Sequence, residues 1–139
     1  MIIMFDTCVI LDYLLDRAPY ADDAEKLLME VADDNITGLL SVKSLMDIHY
    51  FLEHATHDEH EVRRILNALL DVLILVDSAS DDALMALSSE MNDYEDALMV
   101  QTALKNGAEY IATRNLRDYK HSDIQALLPA EMLNMLKIV

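Results

Sequence analysis

The first five residues, Met1-Ile2-Ile3-Met4-Phe5, form an uninterrupted apolar run that stops at Asp6. A run that short, apolar at every position rather than alternating, suits a strand buried on both faces. From Asp6-Thr7 onward the pattern changes: Val9, Ile10, Tyr13 and Leu14 recur at the spacing of one helix face, which places Asp6 at a strand-to-helix junction. Pro19 precedes a second helical segment over residues 21–32, and residues 36–42, interrupted by Gly38, read as a second strand. Ser44 is the expected N-cap of a third helix that turns Leu45, Ile48 and Leu52 inward, and Asp58-x-x-Glu61 has the capping-box pattern of a fourth helix running to Leu70. Residues 72–76 predict a third strand. Ser80 is the expected cap of a fifth helix, and Asn92-x-x-Glu95 that of a sixth, which carries Ala97, Val100, Ala103 and Leu104 on one face and ends at Asn106-Gly107. A fourth strand over 110–113 and a short helix over 129–136 follow, with residues 137–139 as a candidate final strand.

Helices alternating with buried strands predict an α/β fold: a parallel sheet of four or five strands with helices on both faces. No repeat or Gly/Ser/Pro-rich linker divides the chain, so residues 1–139 are expected to form a single domain. Apolar residues make up 53% of the 139, with two glycines and two prolines, which is ample for a core and too little loop chemistry for an all-β sandwich or a disordered chain.

Charge narrows the chemistry. Ten basic against 26 acidic side chains give a formal net charge of −16, which repels nucleic acid and anionic membranes at long range. Any chemistry on nucleic acid therefore calls for metal cations. The single Cys8 excludes a disulfide framework and a four-thiolate zinc site and is ordinary in a reducing cytoplasm, the expected compartment. The opening apolar run is too short for a signal-peptide core or a membrane span.

In open parallel sheets, function gathers at the carboxyl ends of the strands. That rule selects Asp6 after the first strand and Thr113, Arg114 and Asn115 after the fourth, with Asp47 and Asp96 one turn into the third and sixth helices. Singly, each acid has a structural explanation: Asp6 as an N-cap, Asp47 completing a capping box with Ser44, Asp96 favouring a helix dipole together with Asp93 and Glu95. Their ordered combination points further. Carboxylates converging on Asp6 repel one another unless a divalent cation neutralises them, and hard oxygen ligands favour Mg²⁺ or Mn²⁺.

The stretches Ile3-Met4-Phe5-Asp6-Thr7-Cys8-Val9-Ile10-Leu11-Asp12, Ser44-Leu45-Met46-Asp47-Ile48, Asn92-Asp93-Tyr94-Glu95-Asp96-Ala97-Leu98 and Tyr110-Ile111-Ala112-Thr113-Arg114-Asn115-Leu116-Arg117-Asp118-Tyr119, with the late Leu128-Pro129-Ala130-Glu131-Met132-Leu133, resemble the PIN-domain nucleases, and among them the small bacterial VapC-like proteins. The resemblance implies a metal-dependent ribonuclease in which Asp6 and Asp96 are the central ligands of Mg²⁺ or Mn²⁺. Asp47 stands where the family usually has Glu, one methylene shorter, and Asn115 where many members have a fourth Asp, which favours one tightly held ion over two. Thr7 and Thr113 match the hydroxyl residues that orient such a site. Asp93 and Asp118 are reserve ligands, while Asp12 reads as helix surface or local bonding. The implied reaction is hydrolysis of an RNA phosphodiester by a metal-activated water, leaving 5′-phosphate and 3′-hydroxyl ends. The implied partners are an antitoxin that covers the active face and a second copy of the chain, as a homodimer.

Between Tyr110 and His121, Arg114, Arg117 and Lys120 outnumber Asp118, the clearest basic segment of an acidic chain. Arg114 is the foremost candidate for a phosphate contact, with Arg17 and Lys43 behind it. Surface ion pairing explains Arg117 and Lys120 equally well. His54, His57 and His60, with His49 nearby, have ligand-like spacing but cross the expected gap between two helices, so solvated histidines are favoured over a zinc site. Two other readings compete with the nuclease: a weakened PIN module that binds RNA or protein without cutting, suggested by Asp47 and Asn115, and a phosphoacceptor signalling domain. The latter wants paired acids after the first strand and a lysine after the last, and the chain supplies neither.

Overall fold

The computed structural model describes residues 1–137. Five strands, β1 (Ile2–Phe5), β2 (Thr37–Ser41), β3 (Ile74–Val76), β4 (Tyr110–Ala112) and β5 (Gln125–Leu127), form one sheet in the order β3-β2-β1-β4-β5. Every neighbouring pair is parallel, with Ile3 opposite both Gly38 and Tyr110. The helices are α1 (Thr7–Leu14), α2 (Ala21–Ala32), α3 (Val42–Thr56), α4 (Glu59–Leu70), α5 (Ser80–Leu87), α6 (Tyr94–Lys105) and α7 (Pro129–Lys137), and a 3-10 turn covers Leu116–Tyr119.

The alternation of side chains along a strand sorts them into two cores, one on each face of the sheet. Ile3, Phe5 and Leu40 pack with Val9 and Ile10 of α1, Leu27 and Val31 of α2, Ile48 of α3, Val62 of α4 and Met132 of α7. Met4, Leu39 and Ile111 point the other way, into a layer built with Ala86 of α5 and Ala97, Val100 and Ala103 of α6. That two-sided burial is why the opening run is apolar at every position. β1 lies in the middle of the sheet, and its carboxyl end delivers Asp6 between the two layers.

Gly38, which looked like an interruption of the second strand, belongs to it. A Cβ there would come within 2.5 Å of a Leu73 methyl and 3.0 Å of the Phe5 ring, so the position needs hydrogen for space rather than for backbone freedom. Gly107, at φ +79°, closes α6 in the left-handed conformation.

Three caps sit elsewhere than the sequence suggests. Ser41, the last residue of β2, caps α3 by accepting from the Ser44 N–H at 3.1 Å, because strand and helix join without a loop and leave Ser44 inside the helix. Asp93 rather than Asn92 caps α6, accepting from the Asp96 N–H at 2.9 Å. Ala79 is the N-cap of α5, its N–H donating to the Asp82 carboxylate at 2.7 Å, and Ser80 is the first helical residue. Asp58 caps α4 as expected, 3.1 Å from the Glu61 N–H. The short β5 and the 3-10 turn were not foreseen. The expected final strand over 137–139 falls outside the described residues except for Lys137, which ends α7. Among the described residues, no helix is long and apolar enough to cross a membrane.

Candidate active site

Asp6 leaves β1 and becomes the N-cap of α1, its Oδ1 accepting from the Thr7 N–H at 2.8 Å. The cap accounts for only half of the carboxylate. Oδ2 accepts from the Thr113 hydroxyl at 2.8 Å and from the Tyr119 hydroxyl at 3.2 Å. Thr113 follows β4, the parallel neighbour of β1, so strand pairing itself brings the two side chains together; the Asp6 N–H also donates to the Ala112 carbonyl at 2.9 Å. Thr113 is fully buried and accepts in turn from the Asn115 N–H at 3.0 Å, which folds the chain after β4 back over the site.

Asp96 arrives from the opposite layer, in the first turn of α6. Its Oδ1 accepts from the same Tyr119 hydroxyl at 3.3 Å. One phenol oxygen therefore touches a carboxylate from each half of the chain, and the two cannot lie farther apart than those two hydrogen bonds together. Tyr119, 4% exposed while its neighbours from Asn115 to Lys120 are exposed, is a site residue that sequence reasoning missed. A lone buried aromatic within a charged run leaves no periodic pattern to find it by.

Electrostatics follow from this convergence. Burial pushes the Asp6 carboxyl above its ordinary value, against the lowering effect of the Thr113, Thr7 and Tyr119 hydrogen bonds. Asp96 is raised to about 7, by burial first and then by the charges of Asp6, Asp93 and Asp118. Burial and the same two carboxylates hold the Tyr119 phenol firmly protonated. Burial, seconded by Asp6, lifts the Cys8 thiol to about 11, so it stays a neutral neighbour, its sulfur 3.7 Å from Thr113 Oγ1.

The other sequence-selected residues are placed as follows. The Thr7 hydroxyl donates not to Asp6 but to Ser44 Oγ at 2.9 Å, tying the start of α1 to α3. Asp47, a turn beyond Ser44, is paired with Lys43, which also reaches Glu95 of α6 at 3.3 Å. Asn115 is exposed and begins the 3-10 turn, and Asp118, Arg117 and Lys120 are exposed around it. Arg114 turns away from the carboxylates: its Nε and Nη2 donate to Asp12 at 2.6 and 3.0 Å. Asp12 is thus not a helix-surface residue. It is 1% exposed, and Arg17 lies 3.7 Å from Oδ1, the oxygen that also accepts from Arg114 Nη2. His54 and His60 fall on different helices, with His57 as the left-handed C-cap of α3 between them.

Among the described residues, no three His, Cys, Asp or Glu side chains are gathered as a metal cluster. Two carboxylates converge, Asp6 buried and Asp96 kept from full ionisation by burial first and then by its neighbours' charge. That donor set fits a hard divalent cation of the Mg²⁺ type, which takes one or two protein carboxylates and completes its shell with water and substrate phosphate rather than with a protein cage.

A family model described as PIN domain matches residues 2–117. Among curated proteins none matches the chain. Similar solved structures include VapBC2 from Rickettsia felis bound to a DNA fragment from its promoter, with a TM-score of 0.68 and 17% identity over 92% of this chain and 98% of that one. VapBC-1 from nontypeable Haemophilus influenzae has a TM-score of 0.67 and 17% identity, covering 94% of this chain and 99% of that one. VapC20 from Mycobacterium tuberculosis, described as a toxin that cleaves the sarcin-ricin loop, has a TM-score of 0.65 and 14% identity, covering 88% and 98%. At these identities the likeness is one of fold.

Proposed function

The chain belongs to the PIN-domain family, and from that premise we propose that it is a Mg²⁺- or Mn²⁺-dependent endoribonuclease, the toxin of a toxin–antitoxin pair. The observation that carries this reading is the meeting of Asp6 and Asp96 on the Tyr119 hydroxyl. Asp6 and Asp96 would hold the cation, with Asn115 and Asp47 as further candidate ligands, Asp47 being engaged by Lys43. When bound, the cation supplies a water of lowered pKa and a counter-charge for the scissile phosphate.

The chain's own residues orient and balance charge. The Thr7 N–H and the Thr113 hydroxyl hold the two oxygens of Asp6 in fixed directions. Tyr119, which keeps its proton, donates to whichever carboxylate is ionised and limits their repulsion. Arg117 and Lys120, exposed beside Asn115, offer positive charge to the RNA backbone in a chain that is otherwise acidic. An antitoxin partner is supported by the solved structures of the same fold, several of which are toxin–antitoxin complexes. In this reading the working form is a homodimer and the compartment the cytoplasm.

Cleavage of single-stranded RNA is measured with Mg²⁺ or Mn²⁺ for the wild type, Asp6→Asn and Asp96→Asn. Each variant is expected to lose more than about a hundredfold in rate, beyond what loss of an outer metal partner costs, with circular dichroism unchanged. Full activity in either variant overturns the reading. One observation favours a second reading: Asp47 is bound to Lys43 rather than gathered with the other acids, as in a module that binds RNA or a protein without cutting. Metal-dependent RNA binding without turnover by the wild type would select it.

A further inference from the structure

A cavity of about 380 Å³ lies at the carboxyl ends of β4 and β5, with Asp12, Tyr20, Asp23 and Arg114 among its lining residues. Its volume falls in the range of small-ligand sites. The Arg114 guanidinium sits over the Tyr20 ring, 4.1 Å from its centroid. Two donors on its edge are taken by the buried Asp12 carboxylate, so Arg114 is held as a rigid plane whose charge is already answered, and a phosphate gains little there. What the pair still offers is flat π surface: Tyr20 is 44% exposed even with Arg114 over one face.

We propose that this cavity is a nucleobase subsite, in which an unpaired base of the RNA stacks on the Tyr20–Arg114 pair. The inference rests on the ribonuclease reading for the identity of the ligand. Bases stack on aromatic rings and on guanidinium planes, and single-stranded RNA is recognised largely in that way. Pro19, Leu128 and Pro129 supply apolar walls for the edges of a base. Asp23, whose side chain has no hydrogen-bond or ion-pair partner among the described residues, lines the cavity as an acceptor only. It selects a base edge rich in donors, guanine foremost, with its ring N–H and amino group side by side.

The subsite adjoins the carboxylates. Arg114 directly follows Thr113, whose hydroxyl holds Asp6, and Asp12 lies six residues beyond Asp6, roughly 9 Å along α1. A base in the cavity therefore belongs to a nucleotide close to the scissile bond.

RNAs with single abasic riboses stepped across the cleavage site test this. In the wild type, one abasic position is expected to lower kcat/KM by about tenfold, through KM. Tyr20→Ala is expected to show the same loss on intact RNA and no further loss on that abasic RNA, with Tyr20→Phe restoring the wild-type value. Asp23→Asn is expected to reduce the preference for guanine at that position. A binding arm needs no turnover: an RNA carrying a fluorescent purine at the position is titrated into Asp96→Asn protein, with quenching expected that Tyr20→Ala abolishes. Wild-type cleavage together with Tyr20→Ala kinetics and quenching unchanged overturns the subsite alone. Tyr20-dependent quenching without cleavage by the wild type overturns the nuclease reading and leaves the subsite standing.

Discussion

The hydroxyl of Tyr119 has one hydrogen and two carboxylates within reach, so it cannot fully serve both. Burial first, and then the charges of Asp6, Asp93 and Asp118, favour a proton on Asp96 and raise its pKa to about 7, with the Tyr119 hydrogen bond only partly opposing them. The unfolded chain has no such coupling, so the folded state binds the extra proton between the ordinary aspartate value and about 7. Stability from this group is full below the unfolded pKa and is lost as pH rises through the folded one. In chelator at pH 8, Asp96→Asn is therefore expected to raise the Tm by a few degrees and to flatten the decline between pH 4 and 7, an effect trimmed by solvent because Asp96 is only half-buried; a lower Tm would mark the carboxylate as structural. Arg114→Met tests the other buried acid. It leaves Asp12, 1% exposed, with Arg17 at 3.7 Å as its remaining counter-charge, and chemical denaturation is expected to show a loss of about 2–4 kcal/mol, most of it recovered in the Asp12→Leu/Arg114→Met double variant. Asp6 and Asp96 were legible because each sits at an element boundary that the hydrophobic pattern marks. The Asp12–Arg114 pair was not: its partners lie 102 positions apart, and nothing local in either segment announces the other.

At the scale of elements, apolar runs and helical spacing, together with capping residues and Pro19, marked all seven helices and four of the five strands. The β5 strand, Gln125-Ala126-Leu127, escaped because it is three residues long at a sheet edge with only partial burial; its evidence is its register beside β4, a tertiary fact. The misplaced caps have different causes. β2 and α3 meet without a loop, so the capping side chain comes from the last strand residue, Ser41, and Ser44 is already helical. Ser80 is likewise inside α5, whose cap position falls on Ala79, whereas α6 follows a loop and its cap lies one residue later than Asn92, at Asp93. Gly38 shows the reverse case, a residue whose sequence signal is a break and whose structural role is close packing of β2 under Leu73, Phe5 and Val31. Gly38→Ala is expected to cost about 1–3 kcal/mol by overpacking, read as a lower denaturation midpoint with an unchanged slope. Leu73→Ala, which clears the nearest clash, is expected to offset part of that cost when combined with it, whereas simple additivity would place the strain elsewhere.

For the molecule as a whole, one geometric fact organises the candidate chemistry: all five strands run the same way, so the residues that follow β1, β4 and β5 emerge on one rim, where Asp6, Thr113 and the wall of the Tyr20–Arg114 cavity lie side by side. The sheet has a second consequence, at its far end. β3 is bonded to β2 alone, and Ile74 and Leu75 on it are 54% and 40% exposed, which makes a short template onto which another copy could zip. A surplus of sixteen negative charges keeps such ribbons apart. Acidification toward pH 4, where aspartates and glutamates neutralise, withdraws that guard, and light scattering is expected to climb there before far-UV ellipticity is lost; Leu75→Lys should delay the onset. The acidic character of this chain is in that sense its colloidal armour.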